Sequence, residues 1–165
     1  MSEHDAARTW DVSTEAGLLA CYDTTFAAVY RYTARLTGDR SASEDVTQEA
    51  YIRLVRAARA GQVGEIGIGW LLTTARRIWL DRVRSADRER ARLRLVASQP
   101  AAEPATAAAH SDLLAGLSER ERTALVLRYV DDLPVSEVAE LLGTSVRATE
   151  SLLQRAKRRA RGDSR

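Results

Sequence analysis

Cysteine and histidine are almost missing from this chain. Of 165 residues one is Cys and two are His, so an intrachain disulfide is excluded and no cysteine-rich metal site can form. Asp45 and Glu49 have an i, i+4 spacing that could share a metal, but His4 and His110 lie far off, in an N-terminal stretch and an Ala/Pro-rich stretch. No metal, cofactor or catalytic group is expected. Cys21 sits among apolar neighbours without a His beside it, which points to a buried thiol rather than a nucleophile. The chain also lacks a run of about 18 apolar residues and a basic N-terminal flank followed by an apolar core. Neither membrane insertion nor a signal peptide is expected, and the compartment is read as the reducing cytoplasm. Lysine is represented by Lys157 alone, a bias without a functional reading.

Net charge is small as well, +2 from 25 basic and 23 acidic residues, and does not by itself mark a nucleic-acid binder. Its distribution is more telling. Residues 71–95 hold eight Arg against Asp81, Asp87 and Glu89, whereas residues 1–70 hold seven basic and ten acidic residues. The last twelve residues set Arg155, Lys157, Arg158, Arg159, Arg161 and Arg165 against Asp163 alone.

The length allows one ordinary domain or two small ones, and the patterning favours an all-α protein of two small helical domains. Residues 1–15 are polar and unpatterned and read as a flexible N-terminal tail. A first domain over 16–95 holds three helices. Leu18, Leu19, Tyr22, Phe26, Val29, Tyr30, Thr33 and Leu36 recur at threes and fours until Thr37-Gly38-Asp39 stops the run. Ser41 and Glu44 have capping-box spacing and open a second helix that ends near Ala60-Gly61. The third runs from about Gly69 to Arg94. Between these two, Gly61, Gly64, Gly67 and Gly69 make a loop rather than a phosphate cradle, since no P-loop Lys-Ser/Thr follows and no strand precedes it.

Residues 96–111, Ala-rich with Pro100 and Pro104, read as a linker. Sixteen extended residues reach at most about 55 Å, beyond one duplex turn of roughly 34 Å. The second domain, over 112–165, opens with a short helix near Asp112 to Leu117. Ser118 and Glu121 form another capping box, ahead of a helix offering Ala124, Leu125, Leu127 and Val130 to the core. Pro134 suits the first position of the next helix, patterned on Val135, Val138, Ala139 and Leu142 and broken by Gly143. Ser145 then caps a final helix that turns Val146, Thr149, Leu152, Leu153 and Ala156 inward.

Helix, tight glycine-containing turn, helix is the helix-turn-helix pattern, whose second helix enters the major groove of DNA. Its outward positions are Arg147, Glu150, Ser151, Gln154, Arg155 and Arg158. Arg can bond guanine O6 and N7, Gln can pair with adenine, and Glu can accept from cytosine N4. Lys157, Arg158, Arg159 and Arg161 suit phosphates, which position without specifying. On the third helix of the first domain, Arg76, Arg77, Arg82 and Arg84 can hold phosphates. Trp70 or Trp79 could stack on an exposed base, although core packing is the expected role of both. On the second helix, Val46, Ala50, Leu54 and Ala58 form a buried stripe, while Asp45, Gln48, Glu49 and Ile52 share an outward face at i, i+3, i+4 and i+7. Such an acidic ridge suits a basic protein surface, because phosphates would repel it.

Glu44-Asp45-Val46-Thr47-Gln48-Glu49, the stretch from Trp70 to Arg84, and the later segments Leu117 to Tyr129, Glu137 to Gly143 and Arg155-Ala156-Lys157 resemble, in order and spacing, bacterial sigma factors of the sigma-70 family. The likeness is to the two-domain extracytoplasmic-function (ECF) group and covers about Tyr22 to Arg161. It implies a promoter-specificity subunit of RNA polymerase with no catalysis of its own. Asp45, Gln48, Glu49 and Ile52 would dock on the β′ clamp helices of the polymerase core. The helix carrying Arg76, Arg77, Asp81, Arg82 and Arg84 would capture the unwound −10 element of promoter DNA. Arg147, Glu150, Ser151, Gln154, Arg155 and Arg158 would read the −35 element, in a domain that also meets the β flap. The resemblance further implies an anti-sigma factor covering these surfaces. Many members carry Asn where this chain has Arg77, beside the pocket for a flipped base. No further C-terminal regulatory domain is expected. A second reading stays open at this point, an autonomous helix-turn-helix regulator that binds an operator without polymerase.

Overall fold

The computed structural model describes residues 8–96 and 116–161. Their elements run β1 (Thr9–Asp11), α1 (Glu15–Thr37), α2 (Arg40–Arg59), β2 (Glu65–Gly67), α3 (Ile68–Val96), α4 (Glu119–Tyr129), α5 (Val135–Leu142) and α6 (Val146–Ala160). The all-α expectation holds, with one two-stranded antiparallel ribbon added to it. The described residues divide into two compact units, one formed by 8–34 and 41–78 and the other by 35–40, 79–96 and 116–161. Beyond Val96, the expected linker lies outside the described residues, and so does most of the short helix near Asp112 to Leu117. Of the latter, Leu117 is described and buried.

In the first unit the ribbon changes the expected picture of the N-terminus. β1 pairs with β2 so that Trp10 stands opposite Ile66, and Trp10, Val12 and Ile66 are all buried. Trp10 and Val12 therefore belong to the core cluster of Cys21, Val29, Tyr51, Leu54 and Leu71 rather than to a tail, and the glycine-rich loop is partly strand. Three-residue strands are too short for alternation to show in a sequence.

In the second half of α1 the expected Val29, Thr33 and Leu36 are buried, but in its first half the buried stripe is not the expected one: Cys21 and Thr25 face inward, whereas Leu19, Tyr22 and Phe26 are exposed. Apolar residues surround this helix, so their period alone does not choose a face. The choice is made by polar groups that can be satisfied inside. Thr25 Oγ1 donates to the Cys21 carbonyl at 2.6 Å and accepts from the Tyr51 hydroxyl at 2.7 Å. Deeper along the helix, Thr33 Oγ1 donates to the Tyr30 carbonyl at 2.9 Å and accepts from Thr47 Oγ1 at 2.8 Å. Burial pushes the Cys21 thiol up from its ordinary range and the Tyr51 phenol up to about 12, because a charged form is costly in an apolar surrounding.

α2 starts at Arg40, so Ser41 stands within its first turn and is not the cap expected of it. Asp39, of a residue type favoured just before a helix, precedes it. The stripe of Val46, Ala50 and Leu54 is buried as expected, with Ser43 and Thr47 beside it, and Ala58 is half-buried.

The second unit is built on local signals that the sequence carries openly. Ser118 Oγ accepts from the Glu121 amide, and the Glu121 carboxylate accepts from the Ser118 amide at 3.0 Å, completing the capping box. Such a cap is worth about 1 kcal/mol. Pro134 proves to be the N-cap of α5 rather than its first residue. Gly143 closes α5 in the left-handed conformation at φ 62° and ψ 43°, where a Cβ is penalised. Ser145 Oγ then accepts from the Ala148 amide at 3.2 Å to start α6. Leu80, Ala124, Leu127, Val138, Leu142, Leu152 and Leu153 form the core of this unit, each large side chain contributing roughly 1.5 to 3 kcal/mol. Two expected core positions, Val130 and Val146, are instead about half exposed, and Val126 is buried in their stead. α4 ends at Tyr129, just before Val130, and α6 begins at Val146, so both valines sit at helix ends.

Candidate nucleic-acid interface

The α5–turn–α6 segment has the local geometry of a helix-turn-helix. Its left-handed glycine and the following serine cap give α6 a fixed start, while Thr149, Leu152, Leu153 and Ala156 hold its inner face in the core. Arg147, Glu150, Ser151, Gln154, Arg155 and Arg158 are all exposed, as the sequence implies. Ser151 Oγ donates to the Arg147 carbonyl at 3.0 Å, and the remaining row is presented to solvent.

The basic cluster behind this row is divided in a way the sequence does not reveal. Arg159 Nη1 donates to the carboxylate of buried Glu121 at 2.9 Å, and the Lys157 ammonium lies 4.7 Å from the Tyr129 ring centre. Both cations, exposed at the surface, thus also make contacts within the unit. Arg158 and Arg161 remain exposed. Beside Tyr129, an open apolar groove of about 400 Å³ runs between α4 and α6, lined by Leu125, Val126, Val130, Lys157 and Ala160 among others.

Along α3 the expected residues fall into different surroundings. Arg77, Asp81 and Arg82 are exposed, and Arg76 and Arg84 are half-buried. Arg84 lies 3.7 Å from Asp81, and it donates to the main-chain oxygens of Leu141 at 2.8 Å and Glu140 at 3.3 Å. Its guanidinium is thereby spent on the C-terminal end of α5, where carbonyls lack helical partners. Nearby, Asp87 pairs with Arg120, which also donates to the Leu142 carbonyl at 3.0 Å. Trp79 is buried, as core packing requires. Trp70 is half-buried and only packs against the rim of the first unit's core.

On α2 the outward face expected from spacing is present, with Asp45, Gln48 and Ile52 exposed and Glu49 half-buried. The Glu49 carboxylate accepts from Arg53 Nε at 2.9 Å. Spacing alone did not point to what lies further along this helix. A cleft of about 470 Å³ is lined by Arg53, Arg56, Ala57 and Ala60 of α2, by Gln62, and by Trp70, Thr74 and Arg77 of α3. In the sequence it corresponds to two rows, 53-56-57-60 and 70-74-77, each on one helix face. Among the described residues no group of three or more His, Cys, Asp or Glu could hold a metal ion, and no helix is long and apolar enough to cross a membrane.

Both halves of the chain match known protein families. Residues 21–89 match the family described as Sigma-70 region 2, and residues 111–159 match Sigma-70, region 4. The chain is 31% identical over 142 residues to a probable ECF RNA polymerase sigma factor SigI of Mycobacterium tuberculosis, an alignment covering 76% of this chain and 48% of that protein. It is likewise 31% identical over 149 residues to the ECF RNA polymerase sigma factor SigK of Mycobacterium ulcerans, covering 83% of this chain and 80% of that one. The chain thus belongs to the ECF sigma factors of the sigma-70 family. It spans about half the length of the SigI relatives it matches. Among solved structures, the sigma factor RpoE in complex with the anti-sigma factor NepR from Bartonella quintana aligns with a TM-score of 0.49 at 19% identity, over 86% of this chain and 92% of that one.

Proposed function

We propose that this chain directs bacterial RNA polymerase to a set of promoters and carries no catalysis itself. The observation that supports this reading most is the exposed row Asp45, Gln48, Glu49 and Ile52 on α2. An operator-binding regulator has no use for an acidic and partly apolar face in the half of the chain that precedes its helix-turn-helix. A polymerase subunit does, because that face can dock on a basic protein surface. In this reading the row meets the β′ clamp helices of the core enzyme, and the domain carrying α4–α6 meets the β flap. Arg76, Arg77, Asp81, Arg82 and Arg84 lie on the helix that captures the unwound −10 strand, and Arg147, Glu150, Ser151, Gln154, Arg155 and Arg158 face the −35 duplex. The domains would be 16–95 and 112–165, joined by 96–111, and the whole would work in the cytoplasm. An anti-sigma factor is the natural regulator in this reading.

Co-purification tests the docking step. Wild-type chain should be retained by core polymerase, and the double reversal Asp45→Arg with Glu49→Arg should be lost from it while keeping its helical circular dichroism. Retention of the reversed variant at wild-type affinity would reduce the row to a solvated helix face.

A further inference from the structure

We infer that Arg84 has two positions: on the carbonyl end of α5 in the free chain, and on the unwound promoter strand in the enzyme. The second half of α3 therefore has to part from α4 and α5 before it meets DNA, an inference that rests on the sigma-factor reading above. All three guanidinium nitrogens of Arg84 are engaged in the structure. Nε donates to the Leu141 carbonyl at 2.8 Å, Nη2 donates to the Glu140 carbonyl at 3.3 Å, and Nη1 lies 3.7 Å from Asp81. The last carbonyls of a helix carry partial negative charge, so a phosphate approaching Arg84 here would meet oxygens of its own sign. One guanidinium cannot cap α5 and hold the strand at the same time.

Arg84 belongs to a clasp within the second unit. Trp79 Nε1 donates to Thr123 Oγ1 at 2.8 Å, and Leu80 enters the core with Leu127, Leu142 and Leu152. Further along α3, Asp87 pairs with Arg120 of α4, and Arg90 lies 3.6 Å from Asp87 and 3.7 Å from Glu119. Leu80, Arg84 and Asp87 recur at i, i+4 and i+7 and so share one face of the helix. Trp79 and Leu80 are buried. Opening brings both to water and breaks a hydrogen bond made out of its reach, which is unfavourable, so the free chain stays closed. In the reading above, α2 and the domain carrying α4–α6 meet different parts of the core enzyme. Binding at both places favours the open form, and that difference in affinity is what opens the clasp.

Closure links strand capture to assembly. Arg77 and Arg82 stay exposed in the closed form, but the contact that Arg84 adds is withheld, and the affinity of the free chain for the strand falls with the fraction of molecules that are open. Arg120 separates the clasp from the DNA contact, because it lies on α4, outside both rows assigned to DNA. It joins Asp87 to the Leu142 carbonyl, 3.0 Å away. Removing its side chain loosens the clasp and leaves α3 as it was.

The test places a donor and an acceptor dye on Ser85→Cys of α3 and Ser136→Cys of α5, both exposed positions, in the full chain, where Cys21 is buried. Energy transfer should be high in the free chain and should fall when core polymerase is added. Arg84→Ala and Arg120→Ala should each lower it in the free chain while helical circular dichroism is kept. Promoter melting then separates the two, read as permanganate reactivity of unpaired thymines on a promoter selected by the wild-type holoenzyme. Arg84→Ala should lower melting by about tenfold, the loss expected of one charge-assisted hydrogen bond, and Arg120→Ala should melt the promoter at least as well as wild type. Equal transfer with and without bound core polymerase, or wild-type melting by Arg84→Ala, would overturn the inference and leave the sigma-factor reading intact. A chain that never joins core polymerase would overturn both.

Discussion

The indole N–H of Trp79 donates to the hydroxyl of Thr123 at 2.8 Å, across 44 residues of sequence. Thr123 Oγ1 in turn donates to the Glu119 carbonyl at 2.7 Å, and both side chains are buried. The second half of α3 is thus fastened to α4 by a polar contact with no access to water, and Leu80 beside it enters the same core as Leu127 and Leu152.

Replacing Thr123 by Val keeps the shape but removes both the acceptor for the indole and the donor to Glu119. A buried N–H left without a partner costs about 1 to 3 kcal/mol, so urea unfolding followed by tryptophan fluorescence should move to lower denaturant by that amount. A midpoint equal to wild type would mean that the indole is not fixed as described.

Gly38 should tolerate no side chain. It holds φ +67°, and a Cβ there would run into the guanidinium of Arg122, which is itself buried and has its affinity for a proton lowered by that burial. Gly38→Ala combines backbone strain with a clash and should cost more than about 1 kcal/mol. Thermal unfolding of the variant checks this, and a melting temperature at or above that of wild type is the contrary result.

Cys21 and Tyr51 report on the inside of the first unit. Cys21 has no exposed surface and its thiol is pushed up by burial, so the native chain should react slowly with a disulfide reagent and quickly once unfolded in urea. Tyr51, pushed up to about 12 chiefly by burial, holds its proton more tightly folded than unfolded, where an ordinary phenol titrates near 10. Its contribution to stability is therefore complete below about pH 10 and is lost as pH rises towards 12. Absorbance at 295 nm should show one phenol ionising late, and Tyr51→Phe should remove it. Titration of all five tyrosines together near 10 in the folded chain would contradict the burial.

Four cations of the C-terminal region should separate by role. Arg155→Ala, like Glu150→Ala, should change base preference in the −35 element by roughly 1 to 3 kcal/mol. Arg158→Ala and Arg161→Ala should weaken all promoters alike and flatten the salt dependence. Arg159→Ala should act on the fold instead, because it leaves the buried Glu121 carboxylate without its 2.9 Å partner. With Arg159 about half exposed, the loss should be about 1 to 2 kcal/mol. A randomised −35 library beside a denaturant series resolves the three classes, and an unaltered midpoint for Arg159→Ala would return that residue to the DNA face.

What could be read from the residues is what their near neighbours decide. The Ser118–Glu121 box, the Gly143 stop and the Ser145 cap each close a hydrogen bond within a few residues, and each is found where the pattern places it. The stripe of α2 is legible because its polar and apolar positions separate cleanly. The first half of α1 departs from the pattern because apolar residues surround it, and the buried Thr25 bonds Tyr51, 26 residues away. The pairing of Trp10 with Ile66 spans an even longer separation between strands of three residues, with no periodic signal to announce it. For the candidate surfaces, spacing gave the outward rows of α2 and α6. It did not reveal that Arg84 and Arg159 are engaged by Leu141 and Glu121, since those partners are set by tertiary packing.

Run-off transcription bears most directly on the central claim. Core polymerase supplied with a genomic promoter library and this chain should give discrete transcripts that are absent without the chain and absent with the Asp45→Arg, Glu49→Arg double variant. A folded chain that yields no such transcripts, yet binds duplex DNA tightly and specifically on its own, would contradict the account and identify an operator-binding regulator.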